Sequence, residues 1–228
     1  MERCIGIHQP NYFPWFGYFH KMKLSDVFVF LDTVDIQIKS SNSLTNRTRI
    51  KTKQGVQWLT VPIHKGESKK IKDIYIANEK SWKQKQLNTL FLAYKKSPFF
   101  EMIYPGFEKL LANDFEKLAD LNIASIMYIC KHFHINTQLE RASDLGVEEN
   151  DKNSRLISIC KMLNGNVYLS GEGGKKYNNE NLFATNQIQL KYINFSVPEY
   201  PQLYTKFVGG LSVLDAFFNC GDKVNQLI

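Results

Sequence analysis

The chain has 228 residues, which is enough for one ordinary domain with a sizeable core. Its hydrophobic share of 43% and charged share of 22% are those of a globular protein and exclude a disordered chain. The net charge of +7 comes from lysines spread along the sequence, and no RRM, KH or zinc-finger signature is present, so we expect a basic surface and no nucleic-acid partner.

The first residues lack the features of a secretory signal, and no segment reaches the roughly 18 uncharged apolar residues of a membrane span. The cysteines are widely spaced in apolar contexts, and no Cys/His spacing suits a metal site. We therefore expect buried free thiols, no metal, no membrane span and a cytoplasmic location.

The N-terminal residues predict a βαβ unit. Residues 4–8 form a short apolar run, residues 15–24 carry apolar side chains at helical spacing, and residues 26–31 are an apolar run typical of a buried strand. A strand, a helix and a strand within about thirty residues favour an α/β fold with a partly parallel sheet.

Two later segments are predicted to join the same mixed sheet, namely 58–63 (WLTVPI) and 167–169, whereas 39–47 is predicted to be a loop. The pattern becomes helical from 81 to 133, and we expect these helices to pack against the sheet. The whole chain, 1–228, is thus predicted to form one α/β domain with a mainly helical section at about 81–135.

Two more helices are predicted from their capping residues. One covers 154–163, with Asp151 or Asn153 as its N-cap. The other begins after Ser212, which can act as N-cap, with Asp215 at the third helical position and Gly221 just beyond the end.

The first candidate site lies in the segment IHQPNYFPWFGYFHKM. His8 and Gln9 follow the first strand, and ligands of α/β proteins bind beyond the carboxyl ends of strands. Prolines stiffen the following loop, and its five rings, Tyr12 and Trp15 among them, either line a pocket or fill the core.

Polar residues after the next strand give a second candidate. Asp32 either orients the imidazole of His8, if the two strands are neighbours, or opens a turn. Asn46, Arg47 and Arg49 follow in a polar loop. Arg47 either grips a phosphate or carboxylate with two hydrogen bonds or is solvated.

The third candidate is the glycine-rich turn after residues 167–169. Ser170, Gly171 and the next three residues offer backbone N–H groups without bulky side chains, which suits an anion or an oxyanion. The turn lacks the GxxxxGK[ST] pattern of a P-loop and the glycine that a nucleophile elbow needs before its serine. A plain tight turn is the alternative.

The sequence resembles the WbqC-like protein family. The matching stretches run from Ile7 to Gly221 in the family's order: IHQPNYFPWFGYFHKM, FVFLD, NRTRIK, WLTVPI, YLSGEGGKKY, EYPQL and LSVLDAFFNCG. The positions that fall on the family's motifs are His8, Gln9, Pro10, Tyr12, Pro14, Trp15, Gly17, Asp32, Asn46, Arg47, Ser170, Gly171, Tyr177, Gln202 and Asp215.

This resemblance implies an N-acyl- or aminoacyl-transferase of O-antigen or surface-polysaccharide biosynthesis, with a nucleotide-linked amino sugar as acceptor. The donor would be an acyl thioester on the phosphopantetheine arm of a carrier protein. His8 would be the general base, Asp32 its orienter, and the glycine-turn amides would hold the oxyanion without a metal. The expected substrate contacts are Gln9, Tyr12, Trp15, Asn46, Arg47, Ser170, Gly171 and Tyr177.

Two other functions stay open. A nucleotide-dependent adenylyl transferase or ligase is one, because the opening strand, loop and helix distantly resemble nucleotidyl transferases with an HxGH motif. The match is poor, since Gly17 is followed by Tyr18 and Phe19 before His20. A non-catalytic sugar-binding protein is the other.

Overall fold

The computed structural model describes residues 1–38, 43–64, 66–79, 81–204 and 206–228. Over these ranges the strands are Cys4–His8 (β1), Val27–Phe30 (β2), Arg47–Thr52 (β3), Gly55–Thr60 (β4), Gln138–Arg141 (β5), Val167–Gly171 (β6) and Gln189–Ile193 (β7). The α-helices are Phe16–Lys23 (α1), Trp82–Tyr94 (α2), Phe100–Ala112 (α3), Leu118–Phe133 (α4), Lys152–Met162 (α5), Glu180–Thr185 (α6) and Val213–Cys220 (α7). None of these helices is long and apolar enough to cross a membrane.

The chain divides into two compact units, each assembled from separate stretches. Unit 1 comprises residues 1–9, 17–34 and 135–196, and unit 2 comprises residues 10–16, 35–134 and 197–228. The α/β fold class is confirmed, with a parallel five-stranded sheet in unit 1. The prediction that the whole chain behaves as one domain stays a prediction.

Unit 1 is a parallel sheet with the strand order β5-β2-β1-β6-β7. The central strand β1 pairs with β2 on one side, where His8 lies opposite Phe30, and with β6 on the other. Strands β5 and β7 pair in parallel with the outer edges of β2 and β6. If the five strands are numbered by their order along the chain, their order across the sheet is 3-2-1-4-5. The strand order thus reverses between β1 and β6, while all strands stay parallel.

Both faces of this sheet are covered, which explains the continuous apolar runs of its central strands. On one face, Ile5 and Ile7 pack in a buried cluster with residues of α5 and α6. On the other face, the ring of Tyr18 from α1 lies 5.2 Å from that of Phe28. A side chain at Gly6 would collide with Ser25 and Phe28, so glycine allows this close approach.

Unit 2 combines the antiparallel hairpin β3–β4 with the helices α2, α3, α4 and α7. Rings form much of its core: Tyr94 stacks on Phe218 at 4.4 Å, and Phe13 stacks on Phe107 at 4.5 Å. Phe13 has a positive φ of 41°, which is rare for a residue with a side chain. The motif segment 10–16 is therefore held in unit 2 by the packing of its rings.

Several predicted elements are confirmed. The βαβ opening is present, the helical section consists of α2, α3 and α4, and the helix predicted over 154–163 is α5. Asp151 caps α5 by accepting a hydrogen bond from the Ser154 N–H at 2.8 Å. Ser212 caps α7, and Gly221 follows that helix with a φ of 55°.

Other expectations are wrong. Residues 58–63 do not join the sheet, because β4 pairs with β3 in the separate hairpin of unit 2. Arg47 and Arg49 lie in strand β3 and not in a loop. Strands β5 and β7 were not predicted. Of the loop expected over 39–47, residues 39–42 lie outside the described residues.

Candidate functional site

The strongest candidate site in unit 1 is the carboxyl edge of its sheet, where the strand order reverses between β1 and β6. Ligands of open α/β sheets bind in the crevice outside this reversal point. His8 ends β1, and Ser170 and Gly171 end β6. The last paired residues of the two strands are Gly6 and Leu169, and His8 and Gly171 each lie two residues beyond that pair.

His8 is a half-buried imidazole with a fixed orientation. Its Nδ1 lies 3.0 Å from the carbonyl oxygen of Gln9, and its ring meets the ring of Tyr18 edge-on at 4.9 Å. Burial and then the positive charge of Lys21 lower the pKa of His8 to about 4. The ring is therefore neutral near pH 7, with its proton on Nδ1 directed at the carbonyl and a lone pair on Nε2.

Gln9 takes part in this arrangement through its backbone. The hydroxyl of Tyr18 donates to the same Gln9 carbonyl at 3.2 Å. Two groups of unit 1 therefore converge on one oxygen atom directly after the strand. This fixes the peptide that orients His8, whereas a substrate contact by the Gln9 side chain stays a prediction.

Lys21 is a buried amine that the sequence analysis did not select. Its Nζ donates to the carbonyl of Ile7 at 2.7 Å and lies 5.6 Å from the centre of the Tyr168 ring. Burial lowers the pKa of Lys21 to about 7. A lysine among apolar residues on one face of α1 was the available signal for this position.

Asp32 does not orient His8. Its buried carboxylate, 1% exposed, accepts hydrogen bonds from the N–H of Ser143 at 3.0 Å and from its hydroxyl at 2.8 Å. Arg141 Nε lies 3.8 Å away. Asp32 is two residues beyond Phe30, the partner of His8 in the sheet, and its carboxylate binds residues that follow β5. It anchors the neighbouring loop instead.

Ser170 is a structural residue of the glycine turn. Its buried hydroxyl donates to the Gly171 carbonyl at 3.1 Å and accepts from Asn178 Nδ2 at 3.1 Å. A Cβ at Gly174 would lie 2.1 Å from this hydroxyl, so glycine is required for the close approach. Gly171 itself is exposed, with open space around it.

Tyr177 lies at the end of the same turn and is half exposed. The ammonium of Lys152 lies 3.0 Å from the centre of its ring, and Asn153 donates to its carbonyl at 3.3 Å. Its ring is already in contact with a cation of the protein. A contact with substrate stays a prediction for this residue and for Gly171.

The remaining predicted site residues belong to unit 2. Tyr12 is fully buried, and its hydroxyl donates to Gln86 Oε1 at 2.8 Å. The other end of the Gln86 amide donates to the Thr60 carbonyl at 3.1 Å. Tyr12 is therefore a core residue, and its predicted substrate contact is wrong. Trp15 is partly exposed, so its predicted role as a ring contact stays a prediction.

Asn46 and Arg47 support the hairpin. The Asn46 amide is buried and donates to the Val61 carbonyl at 3.1 Å. The Arg47 Nε donates to the Ser43 carbonyl at 3.1 Å, and its guanidinium lies 4.1 Å from the centre of the Trp58 ring. Anion binding by Arg47 stays a prediction.

The C-terminal motif residues form a buried polar network in unit 2. The Asp215 carboxylate accepts hydrogen bonds from the hydroxyls of Tyr94 at 2.8 Å and Tyr200 at 3.0 Å. Gln202 Oε1 accepts from Lys51 Nζ at 3.1 Å. Burial raises the pKa of Asp215, and these donors oppose the rise. The contacts support a structural role for these motif positions.

Cysteine chemistry is disfavoured at the described sites. Cys130, Cys160 and Cys220 are buried free thiols, as predicted, whereas Cys4 is half-buried. Burial raises the pKa of Cys130 and of Cys160 to about 12, which disfavours the reactive thiolate. Over the ranges that the structure covers, no three His, Cys, Asp or Glu side chains are grouped as a metal site would need.

The anchoring role of Asp32 predicts a large loss of stability in Asp32→Ala. The substitution removes a buried carboxylate that accepts two hydrogen bonds from the half-buried Ser143, which costs about 2–4 kcal/mol. Urea unfolding measures this loss. Asp35→Ala, which removes an exposed carboxylate from the next residues of the chain, should change stability by less than about 0.5 kcal/mol. An Asp32→Ala protein as stable as the wild type would contradict the role.

The buried amine of Lys21 predicts a pH-dependent effect of Lys21→Met. The folded-state pKa of about 7 lies below the unfolded value, so the unfolded chain holds more protons above pH 7 and wild-type stability rises with pH. Lys21→Met lacks this gain. Its stability relative to the wild type should therefore decline from pH 7 to pH 9.5, as urea unfolding at each pH measures, and a constant difference would contradict the lowered pKa.

Comparison with known proteins places the chain in a family. Residues 9–226 match the WbqC-like protein family. The chain is also 31% identical over 221 residues to "Uncharacterized protein Rv1507c" of Mycobacterium tuberculosis (strain ATCC 25618 / H37Rv), covering 95% of this chain and 94% of the relative. No solved structure gives a significant match. The chain belongs to the WbqC-like protein family.

Proposed function

We propose that this protein transfers an acyl or aminoacyl group from a carrier-protein thioester to the amine of a nucleotide-linked sugar, in the biosynthesis of O-antigen or another surface polysaccharide. The observation that carries the proposal is the neutral His8 imidazole at the reversal point of a parallel sheet. This position combines a base in its unprotonated state with the place where α/β sheets bind nucleotide ligands.

His8 supplies the proton transfer that the reaction needs. The sugar amine attacks the thioester carbonyl, a C–N bond forms and the C–S bond breaks. Nε2 of His8 takes a proton from the attacking nitrogen and returns it to the leaving sulfur. Gln9, through its carbonyl, holds Nδ1–H in place, which is the orienting role that the sequence analysis assigned to Asp32.

The exposed turn at Gly171 is the proposed neighbour of the reacting carbonyl. It ends β6 two residues beyond Leu169, as His8 lies two residues beyond Gly6 in β1, and a side-chain position at Gly171 has open space around it. Backbone amides near a developing oxyanion typically contribute about 100-fold or more to a rate, as general-base help does. A thioester is already activated, so these two effects suffice for the proposed transfer.

A nucleotide-dependent adenylyl transferase or ligase is the second candidate. The strand order 3-2-1-4-5 favours it, because it matches five strands of the order 3-2-1-4-5-6 in which doubly wound folds bind nucleotides. The two candidates differ in their products. Release of pyrophosphate from ATP in the absence of a thioester would favour the ligase, and binding of the nucleotide sugar without turnover of either donor would favour a binding protein.

The role of His8 predicts the behaviour of His8→Gln. Purified wild-type protein, an acyl carrier thioester and a dTDP- or UDP-linked amino sugar should give an amide, detected by mass spectrometry. His8→Gln keeps a polar side chain but has no basic nitrogen, so kcat should fall by about 100-fold or more. Affinity for the nucleotide sugar, measured by calorimetry, should stay within a few-fold and show that the variant is folded.

His64→Gln is the matched control. His64 is exposed in unit 2, with its Nε2 at 3.4 Å from Glu79 Oε2, so its loss should leave kcat unchanged. Full activity of His8→Gln would rule out the proposed base.

A further inference from the structure

A groove in unit 2 lies outside the proposed reaction site. It runs between the turn of the hairpin β3–β4 and the last turns of α2, and its volume is about 410 Å³. The side chains that define its character are Lys53, Lys95, Lys96, Gln57 and Leu92. No acidic side chain lines it among the described residues, so the groove is electropositive.

The three lysines have no carboxylate partner in the described part of the chain. Lys95 contacts only the ring of Phe91, at 5.4 Å, and neither Lys53 nor Lys96 forms an ion pair there. Some surface lysines are paired within their own units, as in Lys83–Asp114 at 3.2 Å, Lys175–Glu172 at 2.8 Å and Lys191–Glu2 at 2.8 Å. The lysines of the groove differ from other unpaired lysines of the described residues in that three of them lie on one concave surface. The groove therefore concentrates positive charge that the protein itself does not neutralise.

An apolar side chain stands among these charges. Leu92 is 67% exposed although it lies in a helix whose neighbouring residues Ala93 and Tyr94 are buried. A single exposed leucine is ordinary on a protein surface. Here it lines a groove together with three lysines, and protein–protein interfaces usually combine apolar side chains with polar ones around them.

The walls of the groove are fixed by local hydrogen bonds. In the hairpin turn, the Thr52 hydroxyl donates to the Gly55 carbonyl at 2.9 Å and accepts from the Gln54 N–H at 3.2 Å. On the other side, the Tyr204 hydroxyl donates to the Ala93 carbonyl at 3.0 Å. A partner would meet a preformed surface, so little ordering would oppose its binding.

We propose that this groove docks an acidic amphipathic helix of a partner protein, and, resting on the proposed function, that the partner is the acyl carrier protein that brings the thioester. Carboxylates of the helix would meet Lys53, Lys95 and Lys96, and an apolar residue of the helix would cover Leu92. The lining contains lysines and no arginine, the residue most suited to two-pronged phosphate recognition, which disfavours a nucleic acid.

The test measures binding of a purified holo acyl carrier protein, with its phosphopantetheine arm but no acyl group, by calorimetry at 50 and 300 mM salt. Wild-type protein should bind, and affinity should fall with salt because the contacts are ionic. The double variant Lys95→Glu/Lys96→Glu should bind at least tenfold more weakly, since like charges would then face each other. Leu92→Ser should weaken binding at both salt concentrations.

The matched control is Lys109→Glu/Lys131→Glu, which changes the net charge of unit 2 by the same amount at exposed lysines outside the groove. It should bind within about twofold of the wild type. The proposal would be overturned if both double variants lost the same affinity for the carrier, or if the wild type did not bind the carrier at 50 mM salt. It would also be overturned if a single-stranded DNA 20-mer or pyrophosphate bound more tightly at this groove than the carrier does.

This test is separate from that of the proposed reaction, because binding of the holo carrier requires no turnover. If the carrier binds at the groove but no amide forms, the proposed reaction is contradicted and the proposed docking surface is still supported. If an amide forms but the affinity for the carrier is the same in Lys95→Glu/Lys96→Glu as in the wild type, the docking surface is contradicted and the proposed reaction is still supported.

Discussion

The parallel pairing of β1 with a strand on each side is the constraint on which the candidate site depends. Because β2 and β6 both run parallel to β1, three carboxyl ends meet at one edge of the sheet. Ligands of open α/β sheets bind outside the point where the strand order reverses, which here lies between β1 and β6, and His8 is the residue at which β1 ends. If β1 lay elsewhere in the sheet, His8 would not lie at the point where the strand order reverses.

Buried polar groups of unit 1 then determine the chemical state of this edge. Burial and then the charge of Lys21 lower the pKa of His8, and the Gln9 carbonyl determines which nitrogen keeps the proton. Asp32 serves another purpose, since its carboxylate satisfies donors of Ser143 after β5. Unpaired buried groups of this kind would be costly, so each one also favours a single arrangement of the edge.

Within the five-stranded sheet, the sequence predicted the strands whose residues are mostly buried, namely β1, β2 and β6. Strands β1 and β2 are apolar along their length because both faces are covered, whereas β5 (QLER) and β7 (QLKYI) are partly exposed edge strands without such a run. Strand β3 escapes prediction because it follows a polar stretch and itself carries Arg47 and Arg49, which are also typical of a loop. His8 could be predicted from its place after a strand. The partner of Asp32 could not, since Ser143 lies 111 residues away in sequence.

The protonation state of His8 tests the central claim most directly. In protein labelled with ¹⁵N-histidine, long-range ¹H–¹⁵N correlation spectra distinguish the two neutral tautomers from the imidazolium, and His8→Gln assigns the signal. The account predicts a neutral ring from pH 8 down to about pH 5, with the proton on Nδ1 and an unprotonated Nε2, because the pKa is about 4 and Nδ1 faces the Gln9 carbonyl. Protonation of His8 with a midpoint near pH 6.5, or a neutral ring with its proton on Nε2, would contradict it.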